Sequence, residues 1–222
     1  MRVLTSNITI RREPVAVIRP ADAIEPLFVS ARADGEWRIF AGESVFAKLA
    51  PIASLMADRP HDLFWIPRAG VLPVNVGSGF EQCDLVLCHR HLQLRPADWP
   101  SLRRRIGKGR LEEVSAAPVD ESFAIHVRWR RSKAPPGADL FDFHLYARTV
   151  FLAGSPALFR HLAYLFDSLT DAQRSGDHTH VFCLARHEHR SGSVDDLTIA
   201  YFQPEHWSRP ISPTAACDCD PK

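Results

Sequence analysis

The stretch from Ser155 to Leu169 limits most tightly what this chain can fold into. Ser155 is a good helix cap and Pro156 suits a first helical turn, and Leu158, Leu162, Leu165, Phe166 and Leu169 then recur on one stripe. A helix with a single apolar face has to lay that face on another element. Its flanks supply one. Leu140 to Ala153 reads as a long strand before it, Ser175-Gly176-Asp177 as a turn after it, and His178 to Ala185 as a strand beyond the turn. Ser191-Gly192-Ser193 and Leu197 to Phe202 predict a further turn and a last strand. Strands interrupted by one helix indicate an α+β fold.

The first half is punctuated less cleanly. Residues 1–20 alternate in extended fashion through Val3, Ile8, Ile10, Val15 and Val17, and Leu27 to Phe40 reads as a hairpin turning at Asp34-Gly35. Ser44 is placed to cap a helix bearing Val45, Leu49, Ile52 and Met56, which Pro51 is expected to kink or split. Asp62 to Pro67 and Asp84 to Leu92 read as strands, with an irregular Gly/Pro-rich loop over 67–82 between them. Pro96 opens a helix with Trp99, Leu102 and Ile106 on one face, stopped at Gly107 and Gly109. Residues 107–121 read as a linker, Phe123 to Trp129 as a strand and Lys133 to Asp139 as a loop.

The predicted architecture is a mostly antiparallel sheet, or sheets, with three main helices packed on one face. The chain divides into an N-terminal half over 1–110, a C-terminal half over 120–207 and a mobile tail over 208–222, with a single domain as the alternative. Phe46-Ala47-Lys48-Leu49-Ala50 is echoed by Phe159-Arg160-His161-Leu162-Ala163, so the halves could share one plan. With 222 residues, 45% apolar and 24% charged, the chain can bury a substantial core. Its net charge of +1 argues against nucleic-acid binding driven by overall charge. The first residues lack a signal-peptide pattern, and five scattered cysteines argue for reduced thiols, so the expected location is the cytoplasm.

Six of the eleven histidines form the pairs His89/His91, His178/His180 and His187/His189. Residues two apart on a strand share a face, so a pair can offer two imidazoles to one ion. The candidate metal ligands are therefore His178, His180, His89 and His91, with zinc as the ion. A third ligand would have to come from Cys83, Cys88, Asp177, Cys183 or Glu188. The competing reading makes them strand-end and loop histidines, hydrogen-bonded or solvated, in a protein without a cofactor. Cys217 and Cys219 stand on the tail, a poor place for a site. Gly77-Ser78-Gly79 has the wrong spacing for a nucleophile elbow, Cys88 and His89 point to opposite strand faces, and Gly107-Lys108-Gly109 lacks the rest of a phosphate loop.

Between Arg95 and Lys133 ten basic residues stand against five acidic ones, with Trp99 and Trp129 interleaved. Trp99, Arg103, Arg104, Arg105, Trp129 and Arg130 are the candidate partner-binding residues. Such a surface suits an acidic protein or a nucleic acid, and an ordinary solvated helix face looks the same in sequence.

Val150 to Phe202 resembles a segment of the bacterial immunity proteins of polymorphic toxin systems. The resemblance is carried by Leu152-Ala153-Gly154-Ser155, the leucine-rich helix, Gly176-Asp177-His178-Thr179-His180, Ser191-Gly192-Ser193 and Leu197-Thr198-Ile199. It implies a protein without catalytic activity, which binds a cognate toxin and blocks its active site or its access to substrate. His178 and His180 would then organise the strand or the interface. Three functions follow for test. The first is a non-enzymatic bacterial protein-binding protein of the immunity type, away from any membrane. The second is a metal-dependent enzyme using the paired histidines. The third is a nucleic-acid-binding module using residues 95–133.

Overall fold

A computed structural model describes residues 1–31, 37–68, 81–116, 118–119, 139–171, 177–185 and 193–202. Twelve strands fall within them: β1 (Arg2–Ile10), β2 (Glu13–Pro20), β3 (Leu27–Ala31), β4 (Trp37–Ala41), β5 (Asp62–Ile66), β6 (Glu81–Gln82), β7 (Asp84–His89), β8 (Arg110–Glu113), β9 (Phe141–Tyr146), β10 (Thr149–Gly154), β11 (His178–Ala185) and β12 (Ser193–Tyr201). The helices are α1 (Glu43–Asp58), α2 (Trp99–Arg105) and α3 (Pro156–Ser168). None of them is long and apolar enough to cross a membrane. The expected strand over Phe123 to Trp129 and the 34–35 turn lie outside the described residues.

The strands join in one sheet, in the order β6-β3-β4-β12-β11-β9-β10-β7-β5-β2-β1-β8. Seven of its eleven junctions are antiparallel and four are parallel, so the predicted α+β class holds and the sheet is mixed. The two halves are interleaved in it. β4 of the first half runs parallel to β12, the last strand of the second. β10 of the second runs parallel to β7 of the first. Neither half completes its sheet alone.

Strand alternation gives the sheet two apolar faces. One carries Leu85, Leu87, Val150, Leu152, Phe64 and Ile39 against α1 and α3, forming a core that reaches ten strands. The other carries Ile8, Ile10, Val15, Val17, Leu63, Val86 and Phe151 against Trp99 and Leu102 of α2. The prediction that all three helices share a face is therefore corrected: two do, and α2 covers the opposite side. Trp99 and Leu102 point into the sheet as their spacing predicted, but that spacing does not say which side of a sheet a helix will cover.

Five further expectations change. Gly42, not Ser44, caps α1, and it does so without a side-chain hydrogen bond. The helix continues through Pro51, with ten of its side chains buried, so packing outweighs the lost backbone donor. Its path explains its length. β4 and β5 are six strand spacings apart, about 29 Å, and sixteen helical residues span about 24 Å. Leu140 to Ala153 is not one strand but the β9–β10 hairpin, turning at Ala147 and Arg148 with φ of 48° and 58°. Residues 1–20 likewise fold back at Arg11 and Arg12, with φ of 50° and 75°. Part of the predicted linker forms β8, paired with β1.

The echoed sequences occupy equivalent places. In each half a hairpin leads through one capping residue, Gly42 or Ser155, into a helix and then into two antiparallel strands. Phe46 and Phe159 sit four residues past the cap in each case, and both are fully buried. The crossed registers match too: Trp37↔Leu197 and Ala41↔Tyr201 answer Val150↔Leu85 and Gly154↔His89.

Candidate functional site

The first histidine pair sits where β7 ends. All six residues of β7 are buried, and His89 closes the strand beneath the C-terminal end of α1. Its Nε2 donates to the Met56 carbonyl, because a carbonyl oxygen only accepts. Its ring centroid lies 5.0 Å from that of Phe159 on α3. Burial holds this imidazole below its ordinary pKa, and the charges of His91 and His61 add to the effect, while the Met56 hydrogen bond works against it. His91 follows in the short 3-10 turn Arg90–Leu92, with its ring 5.7 Å from His89 and 5.0 Å from His61. His61, just before β5, joins the group because β5 is antiparallel to β7 and starts where β7 ends. Nothing in the linear pattern linked it to that pair.

His178 and His180 open β11, with ring centroids 5.0 Å apart. They lie toward the same end of the sheet as His89, but β9 and β10 stand between the two pairs. The fold therefore keeps the 89/91 and 178/180 pairs apart across two intervening strands. Of the proposed third ligands, neither Cys88 nor Cys83 joins the His89 pair. Cys88 faces the α2 side, opposite to His89, and burial raises its thiol pKa to about 12. Cys83 lies at the far end of β7 and is likewise pushed up to about 12, first by burial and then by Glu81 and Asp84. Among the described residues no group of three or more His, Cys, Asp or Glu is arranged to hold a metal ion. His187, Glu188, His189, Cys217 and Cys219 fall outside those residues, as does the side chain of Cys183.

The basic candidates separate into distinct roles. Trp99 is fully buried, its ring edge-on to Trp65 at 5.7 Å and to Phe151 at 5.9 Å, so it is a core residue and not a surface contact. Arg103 turns to the buried carboxylate of Asp84 at 3.0 Å. Asp84 also accepts from Trp65 Nε1 at 3.2 Å and from the Arg68 backbone at 3.0 Å, which ties α2 to β5 and β7. Arg104 and Arg105 remain exposed. Their anchors are carbonyl oxygens, Pro100 for Arg104 at 3.2 Å and Thr9 for Arg105 at 3.4 Å. Trp129 and Arg130 lie outside the described residues.

The Thr9 contact brings α2 beside the β1–β2 turn, where Arg11 and Arg12 are exposed. Arg11 Nη1 donates to Gln93 Oε1, itself a residue with left-handed backbone (φ 45°). Exposed Arg95 lies two residues on. Five arginines from two distant parts of the sequence thus share one corner of the molecule. Arg11 and Arg12 were not candidates in the sequence reading. Their only local signal is a charged doublet between two alternating apolar runs. No protein-family model, curated protein or solved structure matches the chain.

Proposed function

We propose that this chain is a non-enzymatic protein-binding protein of the immunity type, which holds a cognate bacterial toxin and blocks its active site or its access to substrate. The segment that carries the resemblance comprises β10, α3, β11 and β12, the strand, capped helix, strand and strand of that pattern. One observation favours binding over metal chemistry: the strand that ends at His89 and the strand that carries His178 and His180 are separated by β9 and β10. Moreover, His89 spends its Nε2 proton on a helix carbonyl. Nucleic-acid binding is disfavoured because Trp99, a candidate base-stacking residue, is in the core.

The test is co-expression of the full chain with the toxin encoded beside its gene. The expected outcome is survival of the host and a stoichiometric complex; neither protection nor a complex would end the reading. Elemental analysis of untagged protein separates it from the enzyme alternative. A stoichiometric metal that is lost in a His178→Ala/His180→Ala variant would favour the enzyme.

A further inference from the structure

We propose that the partner docks on the corner formed by the β1–β2 turn and α2, and that the surface it brings there is acidic. This rests on the protein-binding reading above and names the face that reading would use.

The corner holds Arg11, Arg12, Arg95, Arg104 and Arg105, all exposed, with only Glu13 and Asp98 as exposed acidic residues among these segments. Six other arginines form ion pairs among the described residues, Arg59 with Asp62, Arg90 with Asp139 and Asp142, Arg103 with Asp84, Arg110 with Glu112, Arg148 with Glu81 and Arg160 with Asp58, while Arg19 turns to the Gly107 and Lys108 carbonyls. None of the five corner arginines has an ion pair with a carboxylate among the described residues. They are also held on a firm base. Ile8 and Ile10 of β1 and Trp99 and Leu102 of α2 are buried in one cluster beneath them.

The backbone there is left-handed at both turn residues, as it also is at Ala147 and Arg148 in the β9–β10 turn. A two-residue hairpin turn of this type needs positive φ at both positions, a geometry that favours Asn-Gly. Here both positions are arginine, and Gln93, which receives Arg11, is left-handed as well. Strained non-glycine backbone gathers at ligand clamps. In this corner it presents two guanidinium groups at the tip of a hairpin. Clustered like charges repel in the free protein, and carboxylates arriving from a partner relieve that repulsion through forked hydrogen bonds. A confined group of arginines fits a compact acidic protein surface. A nucleic acid would call for a longer cationic track and exposed stacking rings, whereas Trp99 is buried.

The experiment measures binding of the full chain at low salt to fluorescent poly-L-glutamate and, separately, to duplex DNA of equal charge. Wild type should bind poly-L-glutamate, and affinity should fall as salt screens the charges. Arg11→Asn/Arg12→Gly should weaken it about tenfold, as the loss of two exposed charge contacts implies. That variant installs the turn pair the geometry favours, so its melting temperature should equal or exceed that of wild type, and weaker binding cannot be blamed on unfolding. Arg104→Gln should weaken binding in the same direction.

Unchanged affinity in both variants would overturn the proposal. So would failure of wild type to bind poly-L-glutamate at low salt. Tighter binding of DNA than of poly-L-glutamate would assign the corner to nucleic acid instead. A double variant that still protects against the toxin as fully as wild type would move the toxin's footprint off this corner while leaving the immunity reading intact. A wild type that gives no protection ends that reading, and the poly-L-glutamate result then judges the corner alone.

Discussion

The half built on α1 and the half built on α3 follow one plan, yet they differ where equivalent residues meet. Phe46, Leu49 and Ala50 of α1 match Phe159, Leu162 and Ala163 of α3, and all six are buried. Around that shared core the capping residue is Gly42 in one half and Ser155 in the other. The residue ending the strand before the helix is Ala41 or Gly154, and its partner across the parallel ladder is Tyr201 or His89. The sheet explains one of these differences. In the second half β9 pairs with both β10 and β11, whereas in the first half those two duties fall to β3 and β2. Phe141 of β9 crowds Gly154 so closely that a Cβ there would lie 2.5 Å from its ring. The common core fixes the plan, and the departures from it show where local demands differ.

The largest expected effect tests the equivalence itself. Phe46→Ala and Phe159→Ala should each cost about 3–5 kcal/mol in chemical denaturation, as truncation of fully buried aromatics does. Comparable losses support one plan used twice. A large loss at one site and almost none at the other would break it.

Gly154→Ala should come next, at about 1–3 kcal/mol from overpacking against Phe141. The reverse change in the other half, Ala41→Gly, should cost only about 1 kcal/mol through backbone freedom and lost packing. If Gly154→Ala proves neutral, the crowding by β9 is not what separates the halves. Smaller still is the cap. Ser155 accepts from Leu158 N at 3.2 Å, so Ser155→Ala should lose about 1 kcal/mol. Gly42→Ser should gain a few tenths, because that cap has no side-chain bond to lose. Thermal melts of the two variants would read both effects.

These comparisons also mark what the sequence could and could not tell. The α3 unit was legible because Ser155, Pro156 and the leucine stripe are local signals for a local structure. The β3–β4 hairpin and the inward face of α2 were legible for the same reason. The Arg11-Arg12 and Ala147-Arg148 turns were not, since neither contains the Gly or Asn that such backbone favours. Pro51 misled because burial against the sheet and α3 is a tertiary effect. The parallel β4–β12 and β7–β10 ladders join residues far apart in the chain, which periodicity cannot rank. The candidate site was half visible. Arg104 and Arg105 stood out as charge, but their neighbours Arg11 and Arg12 lie about ninety residues away in sequence. Nor could the pattern show that Asp84 would claim Arg103.

The gentlest prediction concerns pH and the His89/Tyr201 difference. Burial depresses the His89 pKa in the folded protein, so the unfolded chain takes up that proton first as pH falls. Stability should therefore be level above about pH 7 and decline below about 6.5, through the lower folded value. Asp62, raised mainly by burial, acts in the opposite sense and only in the more acid carboxylate range. His89→Gln should flatten the decline, and denaturation curves at several pH values would show it. An unchanged slope would place the sensitivity elsewhere.

The central proposal is that the chain holds an acidic partner at its arginine corner. Calorimetric titration of the proposed toxin partner, into wild type and into Arg11→Asn/Arg12→Gly, tests it most directly. The account predicts a stoichiometric wild-type complex that weakens with salt and loses about tenfold in affinity in the variant. An equally tight complex with the variant, or none with wild type, would contradict it.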